Sequence, residues 1–167
     1  MEIKEKKVYE TIKGFANTNS LMQTVSGIFG FPVTLAVDGG AVITHYLPMI
    51  NNICNVYNFN KKDVSSFIPV IKGSFWVFLS DLVLDKVLGQ IPLFGAVSNY
   101  VCAKIITWRI GLLFAYLAKN DMDVTAENVK KIVDCMKTMI SMRKVTGFNP
   151  PSEYNVEHFL NVPVADL

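Results

Sequence analysis

The chain has 167 residues, 51% of them apolar and only 18% charged, with a formal net charge of +2. That length suits one domain with its own core and excludes two ordinary ones. Apart from Lys4, Lys6 and Lys7 the basic residues are scattered, so no nucleic-acid footprint is present, and a mean hydropathy of +0.33 points to heavy self-burial or to lipid.

In chain order, Ile3, Val8, Ile12 and Phe15 fall near helical spacing among Lys and Glu, which predicts a short amphipathic helix ended by Gly14 and the "NTNS" run. The charged start lacks the apolar core of a secretory signal, so the protein is expected in the cytoplasm. From Leu21 to Asn60 there is no Lys, Arg or Glu, and Asp38 is the one acid. Phe31-Pro32 should break this run, leaving one helix to about Gly30 and another over 33–57 that Pro48 kinks.

Asn60 is a candidate N-cap with Asp63 at the third helical position, opening a helix over 61–88 that is bent or interrupted at Pro69. Gly89 and Pro92 then stop one helix and start the next, over 93–119. Thr125, with Glu127 in the first turn, caps a last helix to about Lys144. In it Val129, Ile132, Val133, Met136, Met139 and Ile140 form one apolar stripe. The remainder, with Pro150, Pro151 and Pro163, reads as an extended tail with at most a short turn near 152–160.

The fold class that follows is all-α, a bundle of about five helices built from two helical hairpins with proline/glycine elbows. The divisions are an amino-terminal helix at 1–20, a helical core at 21–145 and a tail at 146–167. A shift of 60 residues lays "FPVTLAV" on "IPLFGAV", pairing Pro32 with Pro92, Ala36 with Ala96 and Val37 with Val97. Small residues gather at both elbows, among them Gly27, Gly30, Gly39 and Gly40 at the first and Gly89, Gly95 and Ala96 at the second. These allow close helix approach, or simply make turns.

Membrane crossing meets an electrostatic obstacle. The most apolar stretch, "SFWVFLSDLVLDKVLGQ", holds Asp81, Asp85 and Lys86, each costing about 2.5–3.5 kcal/mol at a bilayer centre. A soluble bundle is favoured, and peripheral or hairpin-type insertion at the inner membrane stays open.

Catalytic chemistry finds no constellation here. Cys54, Cys102 and Cys135 are far apart and read as buried free thiols. His45 and His158 share no motif, and no phosphate-binding loop or GxGxxG occurs. Trp108-Arg109 is either core packing or a stacked or ion-paired anchor. No catalytic, cofactor-binding or metal residue is therefore assigned, and no cofactor is expected.

The order "GFPVTLAVDGGAV", "LPMINNICNVYNFNKKD" and "IPLFGAVSNYVCAKIITWRIGLLFAYLAKND", from about Val25 to Asp121, resembles the helical domain of unknown function of YcjF-like bacterial proteins and GTPase-attached tails. It is similar, more distantly, to the carboxy-terminal helical part of immunity-related GTPases. Asp38 after the first elbow, Met49, Tyr57, Ile91-Pro92 through Gly95, Thr107 and Gly111 carry the resemblance. It implies a non-enzymatic interaction module that meets a protein partner, a GTPase in trans or itself, possibly at a membrane surface. The rival expectation is a membrane-inserting remodelling factor or a small toxin or effector.

Overall fold

The computed structural model describes residues 1–25, 39–59, 67–73, 77–78, 92–144 and 147–167. The elements are α1 (Ile3–Val25), α2 (Gly39–Tyr57), α3 (Ile68–Gly73), α4 (Pro92–Lys119), α5 (Ala126–Met139), β1 (Arg143–Lys144), β2 (Gly147–Phe148), α6 (Glu153–Leu160) and a closing 3-10 turn at Val164–Asp166. The fold is an all-α bundle, with one two-residue hairpin in which Arg143 pairs with Phe148 and Lys144 with Gly147.

The bundle is organised around α4. Every residue from Ile105 to Ala118 is buried, so this helix is covered on all sides, as expected of a helix that is apolar all round. Helices α1 and α2 pack on it, and α5, α6 and β2 also contact it. The amino-terminal helix is thus part of the core, through Val8, Ile12 and Ala16, which are fully or almost fully buried.

Local sequence explains the helix ends. At α4 the start at Pro92 matches the sequence reading within a residue, because a proline's missing N–H costs nothing in a first turn. Helices α2 and α4 end on Asn58 (φ 58°) and Asp121 (φ 51°). With these residues in the left-handed conformation, Phe59 N–H donates to the Cys54 carbonyl and Met122 N–H to that of Leu117, both at 2.9 Å. Asn and Asp tolerate this geometry better than most side chains. Thr125 caps α5, accepting from Asn128 N–H at 3.2 Å, and Val129, Ile132, Val133 and Met136 are buried as the stripe requires.

Three expectations need correction. Helix α1 does not stop at Gly14 and "NTNS" but continues to Val25, crossing the expected division at 20/21. Thr18 Oγ1 donates back to the Gly14 carbonyl at 3.1 Å, so the polar run hydrogen-bonds along the helix instead of ending it. Pro69 sits in the first turn of α3, where its ring meets no helical carbonyl four residues back, and residues 60–66, where the expected helix begins, lie outside the described residues.

Helix α5 ends at Met139 rather than near Lys144. Ile140 is extended (φ −122°, ψ 99°), and Ile140 and Met142 are buried on either side of exposed Ser141. That period of two buries both side chains in extended chain.

The tail is ordered as well. Ser152 caps α6 by accepting from Asn155 N–H at 3.1 Å, and Val156, Phe159 and Leu160 are buried. Phe159 lies 5.4 Å from the Tyr116 ring of α4, and the Tyr116 hydroxyl donates to the Val162 carbonyl at 2.7 Å. The expected cap at Asn60, Gly89, Asp38 and the charges of Asp81, Asp85 and Lys86 lie outside the described residues, as do the expected elbows within 26–38 and 79–91. No helix among the described residues is long and apolar enough to cross a membrane.

Candidate functional site

A cleft of about 410 Å³ opens where α1, α4 and the β2 segment meet, lined by Tyr9, Lys13, Asn17, Lys104, Trp108, Phe148 and Pro150. Helical spacing builds it. Tyr9, Lys13 and Asn17 follow one another at four-residue steps on α1, and Lys104 and Trp108 do so on α4, so each helix presents one continuous row to the cleft.

The floor is aromatic and rigid. Tyr9 and Trp108 are 8% and 1% exposed, with ring centroids 5.3 Å apart and planes at 55°, within the range of favourable tilted aromatic pairs. The Tyr9 hydroxyl donates to the Pro151 carbonyl at 3.2 Å, which ties α1 to the chain leading into α6. Phe148 supplies a wall, placed by the β1–β2 hairpin.

The rim is cationic. Lys13 Nζ stands 5.5 Å from the Tyr9 ring centroid, and Lys104 Nζ stands 5.5 Å from that of Phe148. Both are within cation–π reach, so the ammonium groups are held over rings. The lining itself contains no acid, but the Glu10 carboxylate stands 3.9 Å from Lys13 Nζ. Such a surface suits an apolar or aromatic group.

A second groove, lined by Glu127, Lys130, Lys131, Asp134, Cys135, Thr138, Asp166 and Leu167, differs in both respects. Its charges are mixed, and Glu127 and Lys131 pair at 2.9 Å, which holds the Glu127 carboxyl below its ordinary range. It offers no ring and no single sign of charge.

The Trp108-Arg109 pair divides its roles. Trp108 packs under the cleft, while Arg109, buried at 5%, donates to the Phe78 carbonyl and Lys137 of α5 donates to the Val77 carbonyl. Together these bonds fix a short backbone stretch against α4 and α5.

A polar junction lies at the other end of α1. Glu5 is 1% exposed, and Lys119 Nζ bonds its Oε1 at 2.6 Å and Asn161 Oδ1 at 2.6 Å. Glu5 Oε2 and the Tyr57 hydroxyl are buried without a hydrogen-bond partner among the described residues. Burial, reinforced by the charges of Glu5 and Glu2, pushes the Tyr57 phenol far up.

The thiols are placed as follows. Cys54 is buried, and burial pushes it up to about 11, which suppresses the nucleophilic thiolate. Cys135 is half-buried, raised by burial, with Sγ 3.6 Å from Met139 Sδ. The Cys102 and His45 side chains lie outside the described residues. His158 is exposed and stacks on Tyr154 at 6.0 Å. Among the described residues no three His, Cys, Asp or Glu side chains gather as a metal site would require.

Nothing in the sequence marks the cleft as a unit, because Tyr9 and Trp108 are joined only by the fold. The four-residue Lys-to-aromatic spacing on two helices is the one signal that was there to find. No family model, curated protein or solved structure matches the chain.

Proposed function

We propose that this chain is a non-enzymatic helical interaction module that binds a protein partner through the cleft between α1, α4 and β2. The observation that carries this reading is the combination of a rigid aromatic floor with the Lys13 and Lys104 rim. Interfaces concentrate binding energy in buried aromatic anchors surrounded by polar groups, and the cleft has that layout before any partner arrives. Preformed side chains spare the partner the entropy of ordering them.

The resemblance to helical domains attached to GTPases supports a partner supplied in trans, working in the cytoplasm or at the inner face of a membrane. Nothing in the reading requires chemistry, since the cleft offers cations and rings but no nucleophile paired with a base.

The test is site-specific photo-crosslinking in the native cells. Asn17→p-benzoylphenylalanine, at an exposed position in the cleft, should capture one discrete protein. The same replacement at Asn51, exposed on α2, should not. Equal labelling from both positions would overturn the reading.

A further inference from the structure

We infer that Lys119 and Asn161 become joined in the folded chain by an amide bond between Lys119 Nζ and the side-chain carbonyl carbon of Asn161, with Glu5 as the proton carrier and ammonia as the leaving group. The three side chains already meet. Lys119 Nζ stands 2.6 Å from Asn161 Oδ1 and 2.6 Å from Glu5 Oε1. A carbonyl bond is about 1.2 Å long, so the amine lies within about 4 Å of the carbon it attacks. Held at that separation, the two groups react without the entropy cost of finding each other.

The fold presents the amide to the amine. Asn161 Nδ2 donates to the Glu157 carbonyl at 2.8 Å, and the Asn161 backbone N–H donates to the carbonyls of Glu157 and His158. With its nitrogen anchored on α6, the side chain turns its carbonyl toward Lys119. Val156, Phe159 and Leu160 bury α6 against the body, and Lys119 closes the buried helix α4, so neither partner drifts. The bond spans 42 positions of the chain and ties the carboxy-terminal segment to the central helix.

Glu5 is placed to move protons. It is 1% exposed; Oε1 meets the ammonium, while Oε2 has no hydrogen-bond partner among the described residues. Oε1 takes one ammonium proton, and the amine lone pair attacks Cγ of Asn161. A second amine proton passes through Glu5 to Nδ2 and the Cγ–Nδ2 bond breaks. Ammonia departs and carries off the remaining proton as ammonium, which leaves Glu5 a carboxylate. Nothing is oxidised or reduced. Asn161 is exposed, so the ammonia has a way out. The newly folded chain holds the ion pair, and the bond forms from it afterwards.

Intact-mass spectrometry of the purified full chain, sampled over a series of hold times at neutral and mildly alkaline pH, tests this. The wild-type mass should fall by that of one ammonia, and trypsin should then release a branched peptide joining the segments that hold Lys119 and Asn161. Lys119→Arg should keep its full mass, because a guanidinium stays charged and does not attack an amide. Glu5→Gln, which retains the shape of the side chain, should lose ammonia about a hundredfold more slowly, the size expected for removing a proton carrier. Circular dichroism should show both variants helical, and the branched wild-type peptide decides the bond even where a variant fails to fold. A wild-type chain that keeps its ammonia at every hold time overturns the inference. So does loss of ammonia with linear peptides alone, which marks a succinimide, and so does a Glu5→Gln chain that reacts at the wild-type rate.

Discussion

Gly111 of α4 faces Ile12 of α1 with no room to spare: a β-carbon at Gly111 would stand 2.6 Å from Ile12 Cγ1 and 2.8 Å from Cδ1. Ile12 is fully buried and cannot swing into solvent, so a methyl group there must push the helices apart or force Ile12 off its rotamer. Overpacking costs about 1–3 kcal/mol, partly offset by the better helix propensity of alanine. Gly111→Ala should therefore lose about 1–2 kcal/mol in urea unfolding. Combined with Ile12→Ala, it should cost clearly less than the sum of the two single changes, since the clashing atoms are gone.

Lys119 and Glu5 form the second tie between these helices. Removing the cation leaves a carboxylate that is 1% exposed without its partner. Lys119→Met should destabilise by about 3 kcal/mol, in the range for breaking a buried ion pair from one side. Glu5→Leu added to Lys119→Met should recover most of that loss, because no unpaired charge stays inside. Chemical denaturation of the three variants decides it.

Phe159 tests whether the carboxy-terminal segment belongs to the core. The ring is fully buried against Tyr116, so Phe159→Ala should cost about 3–5 kcal/mol and lower the thermal midpoint of the whole domain in one transition. A segment that merely lay on the surface would give a loss below about 1 kcal/mol.

Alkaline stability should report the Cys54 thiol. Its pKa is raised from 9.0 to about 11 in the fold, so the protonated form is favoured by the native state. The stabilisation is fully present below about pH 9 and is lost as pH rises toward about 11. The buried Tyr57 phenol, also raised, acts in the same direction from a higher starting pH. Thermal midpoints between pH 8 and pH 11 should fall, and Cys54→Ala should flatten the first part of that decline.

Legibility from sequence divided along physical lines. The start of α4 at Pro92 and the Thr125 cap were readable because they depend on one or two residues and a backbone rule. Helix α6 was equally local, with Ser152 as cap and Val156, Phe159 and Leu160 at helical spacing. The prolines at 150, 151 and 163 masked it, although prolines outside a helix do not prevent one. The passage of α1 through Gly14 was not readable, since Ala16 and the buried face of that helix gain their stability from α4. Nor was the cleft, which exists because Tyr9 and Trp108, 99 positions apart, meet in the fold. Its lysines look solvated in the sequence, and only packing places them over rings.

The most direct test of the cleft as a binding surface is quantitative lysine acetylation footprinting, comparing native cell lysate with dilute purified protein. Lys13 and Lys104 should be protected in the lysate, while Lys130 and Lys131 on the exposed face of α5 react equally in both. Uniform reactivity of all four lysines under the two conditions would contradict the account.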